Sequence, residues 1–443
     1  MVNNGCQAIF KQNFAPPMVR FKLGTANLKK TRWALAVVFP LLIFSSAYGQ
    51  TKYQRDFNYY WQTVNDNFAY FDIQKTNWDK VKHIYQPLVD TISTTEAFVK
   101  ILEEINNELY NGHISLNTNL PSSNRLIPTG ADLWVEYERK QFIIVAVREG
   151  FGAELSGLRL GMRITHYNGQ PIDNAVQYFL PKSVPEHDKR MYEYAANMLL
   201  AGRHNTDRSI TAQWKGVEKI YYADGAAYKK NVDYSKVLEF RNLPFDLGYI
   251  RINNSLGNDA LISAFDGALD SLWNRKGLVI DLRETPSGGN TTVARAMMSR
   301  FIDKEMPYQK HSLPSEEKQY GVKRSWVELV SPRGKIYKKP LVLLVNRWTG
   351  SMGEGIAIAF HGMKRAQIVG DKMAGLLGAI YSFSLPETNI GFSIPVEKLF
   401  HVNGTPREDF KPQHLVVDNK GCLPLAIKLL TENSNVQKPA TPR

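Results

Sequence analysis

Cysteine is nearly absent: Cys6 and Cys422 are the two thiols in 443 residues. That excludes a disulfide framework and a thiolate metal cluster, and it offers no obvious cysteine nucleophile. Long apolar runs are missing too. The run Trp33 to Phe44 is too short to span a bilayer comfortably, and Pro40 interrupts it. Lys29, Lys30 and Arg32 precede that run, and Ala47 and Gly49 occupy the −3 and −1 positions before Gln50. This is the order of a cleaved signal segment over residues 1–49. The expected protein is therefore exported, periplasmic or secreted, with its mature N-terminus near Gln50. No cysteine stands at that site to carry a lipid. Removal of the segment takes away six basic residues and no acid, so the formal charge falls from +13 to +7. No basic run with interleaved aromatics follows, and no nucleic-acid partner is expected.

Internal repeats are absent. The glycine-rich turn Arg283-Glu-Thr-Pro-Ser-Gly-Gly-Asn290 lacks the Gly-Lys-Ser/Thr of a phosphate-binding loop and the spacing of a dinucleotide fingerprint. No metal or organic cofactor is implied.

What is present divides into three parts. Residues 50–125 read as helical. Phe57, Tyr60, Trp61, Val64 and Phe68 recur at helical spacing. Ser93-Thr-Thr-Glu96 is a capping-box pattern before a second helix from about Thr95 to Tyr110. Asn111-Gly112 supplies a stop, and His113 follows at once. A lone histidine is more often structural than catalytic. Residues 126–236 change to short strands, with Leu133–Tyr137 and Phe142–Val147 the clearest. Residues 237–430 alternate strand and helix, which is α/β order. Residues 431–443 are polar and expected to be disordered.

The stretch Leu341 to Phe360 organises the third part. It opens on five apolar residues, as a strand buried on both faces does. A polar turn follows, then a helix of small residues from Met352. Ser351 thus sits at a strand-to-helix turn, where backbone N–H groups and the helix dipole favour negative charge. A serine nucleophile needs that setting because its attack builds an oxyanion alongside. Serine is also a common cap residue, so this stretch alone leaves both roles open.

Several segments resemble known families. Ser156-Gly157-Leu158, Gly161, Ile164 and Asn168-Gly169 are similar to the string of a PDZ domain, with Met162 in place of its aspartate. PDZ domains take extended peptide ends by strand addition, which makes a peptide terminus a possible partner of residues 126–236. A packing module without ligand fits the same string. Gly277-Leu-Val-Ile-Asp-Leu-Arg-Glu-Thr-Pro-Ser-Gly-Gly, Val345-Asn-Arg-Trp-Thr-Gly-Ser351-Met-Gly-Glu354 and Arg365-Ala-Gln-Ile-Val-Gly370 together resemble the S41 serine peptidases, the C-terminal processing and tricorn-like group. The resemblance implies a multidomain α/β protein with an N-terminal helical domain, a PDZ-like domain and a ClpP/crotonase-like catalytic core. It also implies a serine endopeptidase acting on peptide or protein substrates.

One departure from the processing branch matters. That branch has a lysine in "G-K-G" after the serine, whereas the matching segment here is Gly375-Leu-Leu-Gly378 and Lys372 lies out of register. The tricorn-like branch instead uses a histidine and a glutamate. Glu108-Leu-Tyr-Asn-Gly-His113 and Gly404-Thr-Pro-Arg-Glu408-Asp-Phe-Lys-Pro412 are similar to its two segments. The resemblance therefore implies Ser351 as nucleophile, His113 as base and Glu408 as orienting group, with Asp409 the neighbouring alternative. Gly288 and Met352 would supply the oxyanion hole, with Gly289 as the other donor. Two rival readings are a non-catalytic binding protein on the same fold and an esterase of α/β-hydrolase type. The esterase would need Gly-x-Ser-x-Gly, where Thr349 stands first here, and a histidine after the serine: His361, His401 or His414.

Overall fold

The structure, a computed structural model, describes residues 49–225 and 233–436. The expected signal segment lies outside them except for Gly49. No helix among the described residues is long and apolar enough to cross a membrane. The described residues from Gln50 to Val436 belong to one compact unit.

Three helices come first: α1 (Lys52–Asn67), α2 (Trp78–Val89) and α3 (Thr95–Asn107). The Thr51 hydroxyl accepts from the Gln54 N–H while the Gln54 side chain accepts from the Thr51 N–H, a capping box that starts α1. The cap of α3 is Thr94, which accepts from the Ala97 N–H. The helix stops at Asn107, three residues before the expected end at Tyr110. The stripe Phe98, Ile101, Leu102 and Ile105 packs on Phe57, Tyr60 and Val64, and the same cluster takes in Phe392, Ile394 and Val396 from the C-terminal half. These helices thus share their core with the third module. Buried Asp56 reinforces the join by accepting from the N–H groups of Glu387 and Thr388 at 2.9 and 2.8 Å. The short strand β1 (Ser115–Leu116) pairs antiparallel with residues 392–393. That pairing anchors His113, two residues earlier, against the core.

The second module contains β2 (Leu133–Glu138), β3 (Gln141–Val147), α4 (Gly152–Ser156), β4 (Arg163–Tyr167), β5 (Gln170–Pro171), α5 (Ile172–Ala175), α6 (Lys189–Ala201), β6 (Ser209–Trp214) and β7 (Val217–Tyr222). Its antiparallel sheet runs β2-β3-β4-β6-β7, with β5 on β4. Asn168 and Gly169, both at positive φ, make the two-residue turn between β4 and β5. The helix α6 lies on this sheet through Met191, Ala195 and Met198.

The third module contains β8 (Leu238–Leu243), β9 (Leu247–Ile252), α7 (Ala260–Ser271), β10 (Gly277–Asp281), α8 (Thr291–Met298), β11 (Met306–Ser312), α9 (Pro314–Tyr320), β12 (Ser325–Val330), β13 (Leu341–Val345), α10 (Met352–Gly362), β14 (Gln367–Gly370), β15 (Ala379–Ser384), β16 (Gly391–Phe400), β17 (His414–Leu415) and α11 (Cys422–Val436). The main sheet runs β17-β14-β13-β10-β9-β8. It is parallel except at β8, which pairs antiparallel with β9. Strands β10 and β13 are apolar throughout or nearly so because both faces are covered: α7, α8 and α10 pack on one side, α11 on the other. Each fully buried Leu, Ile or Val there stabilises the fold by roughly 1.5–3 kcal/mol. A second sheet, β1-β16-β11-β12 with β15 on β16, stands beside it. The last helix runs to Val436, past residue 430, so the first part of the tail expected to be disordered is helical. Residues 437–443 lie outside the described ones.

Candidate active site

Parallel pairing of β10 with β13 aligns Asp281 with Leu344, so the turns that leave these two strands lie side by side. They are bonded to each other. Thr349 Oγ1 donates to the Leu282 carbonyl at 3.0 Å, the Gly350 N–H to the Thr285 carbonyl at 3.2 Å, and the Thr285 N–H to the Trp348 carbonyl at 3.1 Å. On this platform Ser351 has φ 51° and ψ −111°. A residue with a Cβ is strained there, and such strain persists only where the surroundings over-determine it. Here the Ser351 N–H is held by the Glu354 carboxylate at 2.8 Å, and the small residues of α10 bury the following turn completely.

Gly288, at φ +65°, lies directly against the serine: a Cβ on it would come 2.4 Å from Ser351 Cβ and 2.9 Å from its Oγ. Only glycine fits. Its N–H, the first-named donor in the sequence reading, is engaged by the Thr285 carbonyl at 3.1 Å. The N–H groups of Gly289 and Met352 make no hydrogen bond among the described residues.

His113 follows the turn Glu108–Gly112, where the Asn111 side chain accepts from the His113 N–H at 2.7 Å. The imidazole is buried, and its Nδ1 lies 2.7 Å from the Leu377 carbonyl. A carbonyl only accepts, so the proton sits on Nδ1 and Nε2 keeps the lone pair. Burial lowers the pKa to about 4; the Arg407 charge acts in the same sense, and the Leu377 and Gly378 carbonyls oppose it. The ring is neutral at physiological pH.

Glu354 and Arg407 were given no role in the sequence reading, yet they join the two sides. Glu354 is fully buried. Its second oxygen accepts from the Gly375 N–H at 2.9 Å. Arg407, also buried, donates to the carbonyls of Leu376 and Gly378 at 2.9 and 3.0 Å and lies 3.8 Å from the Glu354 carboxylate. Burial pushes Glu354 up to about 7, while Arg407 and the two amide donors pull it down. The stretch 375–378 therefore has its amide on Glu354, two carbonyls on Arg407 and one on His113. The spacing of Glu354 three residues after Ser351 was a legible capping signal; no local pattern pointed to Arg407.

Glu408 follows Arg407 and is half-buried. Burial raises its carboxyl, and one oxygen finds no partner among the described residues. No hydrogen bond joins Ser351, His113 and Glu408 to one another among the described residues. The 375–378 stretch links Ser351, through Glu354, to His113, and Arg407, the neighbour of Glu408, holds that stretch. Such catalytic hydrogen bonds often tighten only once substrate is bound. Asp409 is exposed. Cys422 is buried, and its thiol is pushed up to about 11 by that burial, which removes it as a nucleophile.

Lys372 points elsewhere. Its Nζ pairs with Glu136 of β2 at 3.0 Å. Lys372→Ala should leave kcat within about threefold of wild type, as expected of a half-exposed ion pair; steady-state kinetics on a peptide substrate would check this.

Comparison with known proteins bears on this geometry. Residues 246–414 match peptidase family S41. This segment is an S41 peptidase domain. Residues 50–107 match the tricorn protease C1 domain, and the chain is a serine-type peptidase. A carboxyl-terminal-processing protease of Synechocystis is 26% identical over 416 residues, covering 89% of this chain and 87% of that protein. The carboxy-terminal processing protease CtpA of Bacillus subtilis is 23% identical over 343 residues, covering 75% of this chain and 61% of its own length. Among solved structures, mature CPAF superposes with a TM-score of 0.58 at 13% identity, covering 88% of this chain and 99% of that one. The photosystem II D1 C-terminal processing protease gives 0.52 at 18%, covering 85% and 98%. At these identities the superpositions establish a mixed α/β fold shared with S41 proteases.

Proposed function

We propose that this S41 peptidase cleaves peptide bonds through an acyl-enzyme built on Ser351, with His113 as the base. Ser351 Oγ attacks the scissile carbonyl and passes its proton to His113 Nε2. The N–H groups of Gly289 and Met352 receive the oxyanion, in preference to Gly288, whose donor is engaged. His113 returns the proton to the leaving amine, and water then releases the acyl group by the same steps in reverse roles. Glu408 orients the histidine side of the site, directly or through water. The observation that carries the reading is the strained Ser351 beside two unused N–H groups, tied through Glu354 and the 375–378 stretch to a neutral histidine of fixed tautomer.

The order of helical, PDZ-like and ClpP/crotonase-like parts belongs to this proposal. So does export after cleavage near Gln50, with peptide or protein as substrate. An α/β-hydrolase esterase is disfavoured by its candidate bases. His361 and His401 bond to each other at 2.9 Å, and His414 bonds to Gln367 at 2.8 Å. A binding protein without catalysis has no use for a strained serine. Labelling with a fluorophosphonate probe tests the proposal. Modification confined to Ser351, with loss of peptide turnover, is expected; turnover surviving full modification of Ser351 would reject it.

The pH profile follows from the histidine. A base must be neutral to accept a proton, and burial holds His113 neutral down to about 4. The value is lowered from 6.5, so activity is present above it and lost as pH falls through it. We expect kcat/KM to hold from neutrality to about pH 5 and to fall through about 4. A half-maximal rate between pH 6 and 7 that persists in Glu354→Gln would show a solvated His113 instead.

A further inference from the structure

The second module offers an edge strand, and the edge is already occupied. β2 has one strand neighbour, β3. Its other side faces α6. The Val135 N–H donates to Asn197 Oδ1 at 2.9 Å, and the Val135 carbonyl accepts from Asn197 Nδ2 at 3.0 Å. The Tyr137 N–H donates to Glu193 Oε1 at 3.0 Å, and the Tyr137 carbonyl accepts from Lys189 Nζ at 3.1 Å. Lys189, Glu193 and Asn197 are four residues apart in turn, so they stand on one face of α6. Three side chains thus answer four of the backbone groups that an incoming strand would use.

This ladder is built in. Asn197 is buried, and its amide also donates to the Glu193 carbonyl at 2.8 Å. Lys189 and Glu193 form an ion pair at 2.8 Å. Tyr137 stacks on Tyr192 of the same helix with centroids 4.5 Å apart. Displacing the ladder would leave a desolvated amide unpaired, which a peptide backbone taking its place does not repair.

The module has another task within reach. Trp348, three residues before the nucleophile, donates its indole N–H to the Ala131 carbonyl at 2.8 Å. Arg148 grips Glu284 at 2.7 Å where the glycine turn begins. Glu136 holds Arg347 at 2.5 Å and Lys372 at 3.0 Å.

We propose that β2 is a closed edge: it takes no peptide end by strand addition, and the module instead braces the two catalytic turns. This assigns a role within the proposed peptidase, but the exchange measurement that follows does not require turnover. In the full chain carrying Ser351→Ala, so that peptide stays intact, amide hydrogen exchange is followed with and without excess random decapeptides bearing free carboxylates. The amides of Val135 and Tyr137 should be protected without peptide and unchanged with it. Free exchange of these amides in the absence of peptide, or protection gained on adding it, would overturn the proposal. Glu193→Ala combined with Asn197→Ala should speed exchange at Val135 and Tyr137 by about tenfold or more while β3 stays protected. Unchanged exchange in that folded variant would overturn it equally.

Discussion

Ser351→Ala should lower kcat/KM by a factor on the order of 10³ or more, because members of a nucleophile–base unit act together. His113→Ala should match it, and the double variant should be little worse than either single one. The geometry adds a second, opposite effect on stability. Ser351 sits at φ 51°, ψ −111°, a conformation that costs a residue with a Cβ about 1–3 kcal/mol. Alanine keeps that strain; glycine removes it. Ser351→Gly should therefore be as inactive as Ser351→Ala yet more stable, by about 1 kcal/mol after the extra freedom of glycine in the unfolded chain is subtracted. Urea unfolding of the three proteins together with single-turnover kinetics tests both halves. An active His113→Ala enzyme would remove the histidine from the chemistry.

The other large effect is expected at Arg407. Its guanidinium is buried, supports the carbonyls of Leu376 and Gly378, and faces the buried Glu354 carboxylate at 3.8 Å. Arg407→Ala leaves both carbonyls without their guanidinium donor and the buried Glu354 carboxylate without its opposite charge, its two amide donors remaining, and removing one member of a buried pair costs about 3–5 kcal/mol. Activity should fall as well, because the Leu377 carbonyl that sets the His113 tautomer belongs to the released stretch. The source of the cost is separable. If the stranded carboxylate dominates, Glu354→Gln should restore part of the stability lost in Arg407→Ala, giving a coupling on the order of 1–3 kcal/mol in the double-mutant cycle. Strict additivity would show that the two side chains do not form the frame described above.

Local order was legible where one physical cause acts within a few residues. β10 and β13 announced themselves as apolar runs because both faces of a parallel strand are buried. α10 followed a polar turn with Ser351 at its head. The Asn168-Gly169 turn was readable because few residues tolerate its positive φ. Elements with mixed signals were not singled out. α2 carries Pro87 near its end, and α6 mixes core residues with the Lys189, Glu193 and Asn197 ladder whose purpose is across the module.

By itself, then, the sequence determined the α/β character of residues 237–430, the turn that carries Ser351, the glycine turn after Leu282 and the family. Tertiary structure alone decided that these two turns touch, since β10 and β13 are some sixty residues apart in the chain and adjacent in the sheet. It alone brought His113 to the Leu377 carbonyl, 264 residues away. The same holds for the Glu354–Arg407 frame and for the α6 side chains that meet the edge of β2. Each of these rests on a hydrogen bond or an ion pair between distant residues. Periodicity and propensity report how a segment meets its near neighbours; which remote polar group satisfies a buried one is settled only when the chain has closed on itself.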